Sequence, residues 1–173
     1  MRNGYTGDSL QLRRTSPSGK QDIGFDAEGN LDTTALSSFC GSGDGFVVKW
    51  YDQIGSNNVV QNSSASQPKI YSAGSVITLN SKPALQFDGT NDSLPLLTFA
   101  NLNPNINELI VAWVGSIANL SVGSNMVSHW GPNTGVQVAM VAFQASVGKL
   151  RHIHRYSNAS FATAVDASTT AVS

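Results

Sequence analysis

A single cysteine, Cys40, excludes an internal disulfide and any cysteine-rich zinc module, so packing and hydrogen bonds alone must hold the fold. Charge is scarce as well. Asp, Glu, Lys and Arg make up 12% of the 173 residues, about half the usual ~25% of a soluble domain. Ten basic residues against eleven acidic ones leave a net charge of -1, which removes the electrostatic basis for nucleic-acid binding. Long apolar runs are missing too. The longest, residues 109–114, has the length of a strand and falls far short of the ~18 residues of a membrane span, so no membrane insertion is expected. Proline is sparse at 6, and the start Met1-Arg2-Asn3-Gly4 has no apolar stretch behind it. The expectation is therefore no signal peptide, with export by another route such as lysis, or a chain that is part of a longer one.

What is present is glycine, at 16 residues, and an abundance of Ser, Thr, Asn and Gln beside 40% hydrophobic residues. This is the composition of turn-rich β structure with uncharged, hydrogen-bonding surfaces. Residues 9–15 (SLQLRRT) alternate Leu10 and Leu12 with Gln11 and Arg13, the period of a half-buried strand. A turn at residues 16–19 leads to a second strand over 21–25. Residues 30–41 carry the one good helix signal: Asp32 can cap it, Leu36, Phe39 and Cys40 share a face, and Gly41 can end it. Cys40 accordingly reads as a small core hydrophobe. Residues 45–53 (GFVVKWYDQ) form a strong strand pattern, with Phe46, Val48 and Trp50 on one side and Val47, Lys49 and Tyr51 on the other.

Short strands are expected at 59–62, 68–72, 75–79, 83–87 and 93–97, with Asn80-Ser81-Lys82 as a hairpin loop and residues 88–92 as a tight polar turn. Residues 108–117 are apolar on both faces, as for a covered central strand, and further strands are expected at 125–130, 135–144 and 149–156. Residues 161–173 offer little to pack and read as a polar tail. Many short strands with at most one helix, near residues 32–40, indicate an all-β sandwich or barrel.

A block of motifs sharpens this reading: Gly4-Tyr5-Thr6-Gly7, Leu12-Arg13-Arg14, Gln21-Asp22-Ile23-Gly24-Phe25, Leu31-Asp32-Thr33, Gly43-Asp44-Gly45-Phe46-Val47 and Trp50-Tyr51-Asp52-Gln53. It resembles the N-terminal part of the arabinofuranosidase B-type catalytic domain, and still more closely a set of phage and bacterial proteins that carry the same block. The continuation through Gln67-Pro68-Lys69-Ile70 and Pro83-Ala84-Leu85-Gln86-Phe87-Asp88-Gly89 looks like the concanavalin A-like, or laminin-G (LamG), jelly roll. The resemblance implies a jelly-roll β-sandwich of two antiparallel sheets. It divides into a block over 1–62, sandwich core over 63–160 and tail over 161–173, all in one structural domain. It also implies either an arabinose-releasing glycosidase or a non-catalytic module displayed on a virion or cell surface. The chain lacks the paired cysteines of the fungal enzymes and their glutamate-centred nucleophile motif, so no catalytic residue is carried over. Fewer strands follow Tyr156 than in a typical member, which leaves a sheet edge for self-association or for other virion proteins.

Chemistry-bearing residues are few. The only glutamates, Glu28 and Glu108, stand in a turn and at the head of an apolar strand, a poor basis for the carboxyl pair that glycoside hydrolysis requires. Asp88 and Asp92 flank a turn, where Asp commonly accepts backbone N–H bonds; a Ca²⁺ contribution there is the only cofactor reading. Asp52 is placed to fasten the loop that follows it, or to touch a ligand. His152 and His154 share a strand face and, with His129, form the weak metal candidate against the alternative of a solvated strand. Sugar recognition needs a flat aromatic and amide or carboxylate groups. Trp50 and Trp113 lie in apolar strand patterns and read as core. Trp130, beside a loop, is the stacking candidate, followed by Tyr51, with Asp52, Gln53, Asn91 and Asp92 as polar partners. The function expected is a non-catalytic structural or decoration module of a phage tail, fibre or capsid surface with a weak glycan-binding face. Its partner is a cell-surface polysaccharide, and its place is the virion or extracellular surface. A glycosidase and a purely architectural subunit are the alternatives.

Overall fold

A computed structural model of the chain describes residues 4–95, 114–116, 124–127, 142–146, 149–153 and 165–167. The chain divides into two compact units, Met1–Leu102 and Asn103–Ser173. The described parts are mostly antiparallel β structure with one short α-helix, an all-β architecture.

In the first unit, β1 (Leu10–Arg14) and β2 (Gly19–Ile23) form a hairpin. Helix α1 (Thr33–Cys40) follows, then β3 (Gly45–Trp50), β4 (Val59–Val60), β5 (Lys69–Ser72) and β6 (Ser75–Val76). The sheet order is β2-β1-β3-β5-β6, with β4 added to β3. Residue 62, where a division is expected from the sequence, lies between β4 and β5, which belong to the same sheet. Strands β7 (Thr78–Leu79) and β8 (Lys82–Pro83) make a separate two-residue hairpin. Its turn residues Asn80 and Ser81 both have positive φ, 48° and 62°, as a type I′ turn requires. The two longer strands expected at 75–79 and 83–87 are thus broken, and no strand forms over the described residues 93–95.

The core lies on one face of this sheet. Leu10 and Leu12 of β1, with Ile23 and Val47 beside them, face the apolar stripe of α1 formed by Leu36, Phe39 and Cys40, while the successive residues Ile70 and Tyr71 join the core at a register shift between β3 and β5. Leu12, Ile23, Leu36 and Val47 are fully buried, each contributing about 1.5–3 kcal/mol in apolar transfer. The helix ends are closed as expected. The Asp32 carboxylate accepts from the Ala35 N–H at 2.8 Å, and at the C-terminal end the Gly41 N–H donates to Ser37 O. Tyr71 Oη also donates to Gly41 O, tying the chain after the helix to β5.

The pairing of β1 with β3 contains a bulge. Gln11 stands opposite Lys49 and Leu12 opposite Val47, so Val48 is an extra residue with no partner on β1. Val47 and Val48 are both buried, and the strict alternation expected along this strand fails there. Phe46 and Lys49, assigned to different faces by periodicity, lie opposite Arg13 and Gln11, which share one face of β1. Trp50, expected in the core, sits at the strand end with 46% of its surface exposed.

In the second unit, β9 (Ser124–Val127), β10 (Ala142–Ser146), β11 (Lys149–Ile153) and β12 (Val165–Ala167) form a four-stranded antiparallel sheet in the order β12-β11-β10-β9. Leu150 to His152 pair with residues 165–167, so part of the segment read as a tail takes a strand position. The strand expected over 108–117, and Trp113 within it, lies largely outside the described residues; only 114–116 are described, and they are not a strand.

Gly45 marks the tightest approach of the core. A Cβ there would come within 2.5 Å of Cys40 Sγ and 3.0 Å of Tyr71 Cβ. Gly45→Ala is expected to lower unfolding free energy by about 1–3 kcal/mol through overpacking. Cys40→Ala in the same chain should recover part of that loss, a non-additivity that urea denaturation of the two single variants and the double variant will measure.

Candidate functional site

The sheet face turned away from the helix carries polar and aromatic side chains in rows set by strand register. One row runs Asp22, Gln11, Lys49 and the next Lys20, Arg13, Phe46. Gln11 Nε2 and Tyr51 Oη both donate to Asp22 Oδ1, at 3.0 and 2.8 Å, and Lys49 Nζ lies 4.9 Å from the Tyr51 ring centroid. Partial burial and the Asp22 carboxylate push the Tyr51 phenol up to about 12, because its neutral form is the donor.

In the neighbouring row the Arg13 guanidinium lies 4.5 Å over the Phe46 ring, and Lys69 Nζ is 5.5 Å from the same centroid. Arg13 Nε donates to Gln67 Oε1 at 2.8 Å, Gln67 Nε2 to Gln61 O at 2.8 Å, and Gln61 Nε2 to the Ser93 hydroxyl at 2.9 Å. Gln61 and Gln67 are buried, so these bonds meet amide needs that water cannot reach, and they fasten residues 61–67 and 93 to the sheet. Lys69 Nζ pairs with Asp44 Oδ2 at 2.7 Å, while Asp44 Oδ1 accepts from the Ser72 hydroxyl and the Ala73 N–H. These bonds, from Lys69 and Ser72 foremost, hold the Asp44 carboxyl below its usual range.

The residues proposed from the sequence fall into two loops, the polar sheet face, strand β11 and a region outside the described residues. Asp52 accepts from the Ile54 N–H at 2.8 Å and the Asn57 N–H at 3.1 Å, and its own N–H donates to Asn58 Oδ1. It fastens its loop, and these N–H bonds keep its carboxyl low. Asp88 Oδ1 accepts from the N–H groups of Thr90, Asn91 and Asp92, and Asp92 Oδ2 returns the bond from the Asp88 N–H. Asn91 and Asp92 are therefore parts of one closed turn. Tyr51 belongs to the sheet face through Asp22, and Gln53 follows Asp52 in the anchored loop. Trp130, His129 and His154 lie outside the described residues; His152 takes a backbone position in β11 opposite Phe143 and Val165. Among the described residues no three His, Cys, Asp or Glu side chains group as metal ligands, and no helix is long and apolar enough to cross a membrane. Burial raises the Cys40 thiol, as fits a packing role.

Sequence reasoning missed the roles of Arg13, Asp22, Phe46, Gln61 and Gln67. The signal was partial: Gln11 and Arg13 alternate with the core leucines, but which partners face them depends on strands far along the chain. Neither a family model, a curated protein nor a solved structure matches this chain.

Two titrations check the geometry. A group whose folded pKa is raised stabilises the fold fully below its unfolded value, ~10 for Tyr, and loses that contribution as pH rises through about 12. Phenolate absorbance should thus show one tyrosine ionising late, and Tyr51→Phe should remove that phase. The depressed carboxyl of Asp44 works in the opposite sense: its contribution is present above the unfolded ~3.9 and fades as pH falls through the lower folded value. Asp44→Asn should shrink the loss of stability on acidification below about pH 4, measured by denaturant midpoints across pH.

Proposed function

We propose that this chain is a non-catalytic display module of the concanavalin A-like, LamG-like jelly-roll type, carried on the surface of a phage particle as part of a tail, fibre or capsid, and that it binds cell-surface polysaccharide weakly. The motif block from Gly4 to Gln53 supports the family and the virion setting by resemblance. The exposure of Trp50 carries the binding reading. A large aromatic left 46% exposed at a strand end, directly before an anchored loop bearing Asn57 and Asn58, offers the stacking surface and amide groups that sugar rings require. The Asp52 anchor holds that loop in one conformation, which lowers the entropy lost on contact.

The carboxylates support binding over hydrolysis. Asp44, Asp52, Asp88 and Asp92 each accept bonds from their own turn, loop or strand neighbours, and Asp22 accepts from Tyr51 and Gln11. For Asp44, Asp52 and Asp88 these acceptor bonds favour the ionised form and hold the carboxyl below its usual range, which makes them poor proton donors. The outer strand β2 of the six-stranded sheet is the candidate docking edge for neighbouring virion proteins or a second copy.

A glycan array with the wild type, Trp50→Ala and Trp130→Ala tests this reading. Binding that falls roughly tenfold or more in Trp50→Ala, with an unchanged unfolding midpoint, is the expected result. Silence across the array leaves an architectural role only, and release of aryl alcohol from aryl arabinofuranosides, abolished by one Asp→Asn change, overturns the non-catalytic assignment.

A further inference from the structure

Among the described residues the six-stranded sheet ends on β2 at one side and on β6 at the other. Strand β6 is two residues long and offers little edge, whereas β2 pairs with β1 over five residues without a register shift. Lys20, Gln21 and Asp22 at the centre of β2 are all exposed, and no proline interrupts the strand. Such an edge presents unpaired backbone N–H and C=O groups to an added strand.

The order of side chains on β2 is complementary to itself. Lys20 and Asp22 stand opposite Arg13 and Gln11 and so share the polar face, while Gln21, opposite Leu12, is on the other face. When a second β2 is laid antiparallel with Gln21 at the two-fold axis, Lys20 of each copy stands opposite Asp22 of the other. Each Gln21 amide then faces its own copy and can exchange donor for acceptor. Registers centred elsewhere do the reverse: centring on Lys20 sets lysine against lysine, and centring on Asp22 sets carboxylate against carboxylate. Charge therefore selects one register. Neither ion is committed elsewhere. Lys20 makes no ion pair among the described residues, where Lys69 with Asp44 is the only one. Asp22 takes the Gln11 and Tyr51 bonds on Oδ1, which orients the carboxylate and leaves Oδ2 without a partner among the described residues.

We propose that two copies of this chain join edge to edge through β2, antiparallel about Gln21, closed by two Lys20–Asp22 ion pairs. The six-stranded sheet then continues across the two-fold axis. This pairing rests on the reading of β2 as a docking edge and names a second copy as its occupant. A lysine alone on an edge strand discourages self-pairing; the carboxylate two residues on reverses that effect in a single register. The net charge of -1 adds little repulsion between copies.

Sedimentation equilibrium of the whole chain at low and high salt measures the association, and Gln21→Cys locates it. Cα atoms directly opposed in an antiparallel pair lie about 4.5–5.5 Å apart, within disulfide range, and the native Cys40 is buried. The expected result is a dimer that salt weakens and whose dissociation constant rises roughly tenfold in Lys20→Asp. Mild oxidation should link the Gln21→Cys variant into dimers but not Lys82→Cys, at an exposed position on β8. Lys20→Asp and Asp22→Lys, each weakly associating alone, should pair when mixed, because the mixed dimer sets opposite charges together again. Should Asp22→Lys disturb the fold, the Gln21→Cys cross-link decides. A monomer at all concentrations, equal cross-linking at both cysteine positions, or a dimer indifferent to Lys20→Asp overturns the proposal. A monomer that still binds the glycan array removes the pairing and leaves the display reading standing, whereas a cross-linked dimer with a silent array supports the pairing and removes glycan binding.

Discussion

Strand β1 carries two incompatible surfaces on one backbone, and the first unit is built around separating them. Leu10 and Leu12 point to the helix side, Gln11 and Arg13 to the other, and pairing with β2 and β3 extends each set across the sheet. A one-residue slip in either pairing would bury the arginine and expose the leucines, so hydrophobic burial determines register. The bulge at Val48 works within that constraint. It absorbs one residue of β3, keeps Val47 against Leu12, and brings Lys49 opposite Gln11. Without it, Phe46 and Lys49 would not share a face with Arg13 and Gln11.

The polar side of the sheet is organised by the same economy of charge that marks the whole sequence. With few ions available, the buried amides of Gln61 and Gln67 bind the loops to the sheet, and Arg13 joins that network at its surface end. Neutral amides cost less to desolvate than carboxylates, provided that every donor and acceptor is met. The acidic residues serve mostly at turns. Asp32 caps the helix, Asp52 and Asp88 close their loops, and Asp44 braces the turn after β5. Bonds of this kind hold each of these turns and loops in one conformation.

Local features of the chain were readable because they depend on neighbours in sequence. Strand β1, helix α1 with its Asp32 cap, the Asn80-Ser81 turn and the closed turn at Asp88 follow from spacing and turn chemistry within a few residues. The loop-fastening role of Asp52 was legible for the same reason. Trp50 was not, since an aromatic in an apolar strand reads as core until the strand's end and its bulge are known.

Sequence alone determined the all-β class, the absence of a disulfide framework and the buried place of Cys40. Composition and short-range periodicity suffice for these, because they concern how much can be buried. Tertiary structure decided which polar side chains meet: Arg13 with Gln67, Tyr51 with Asp22, Lys69 with Asp44. Those partners are between 25 and 54 residues apart in the chain, and only the folded register of several strands brings donor and acceptor within reach.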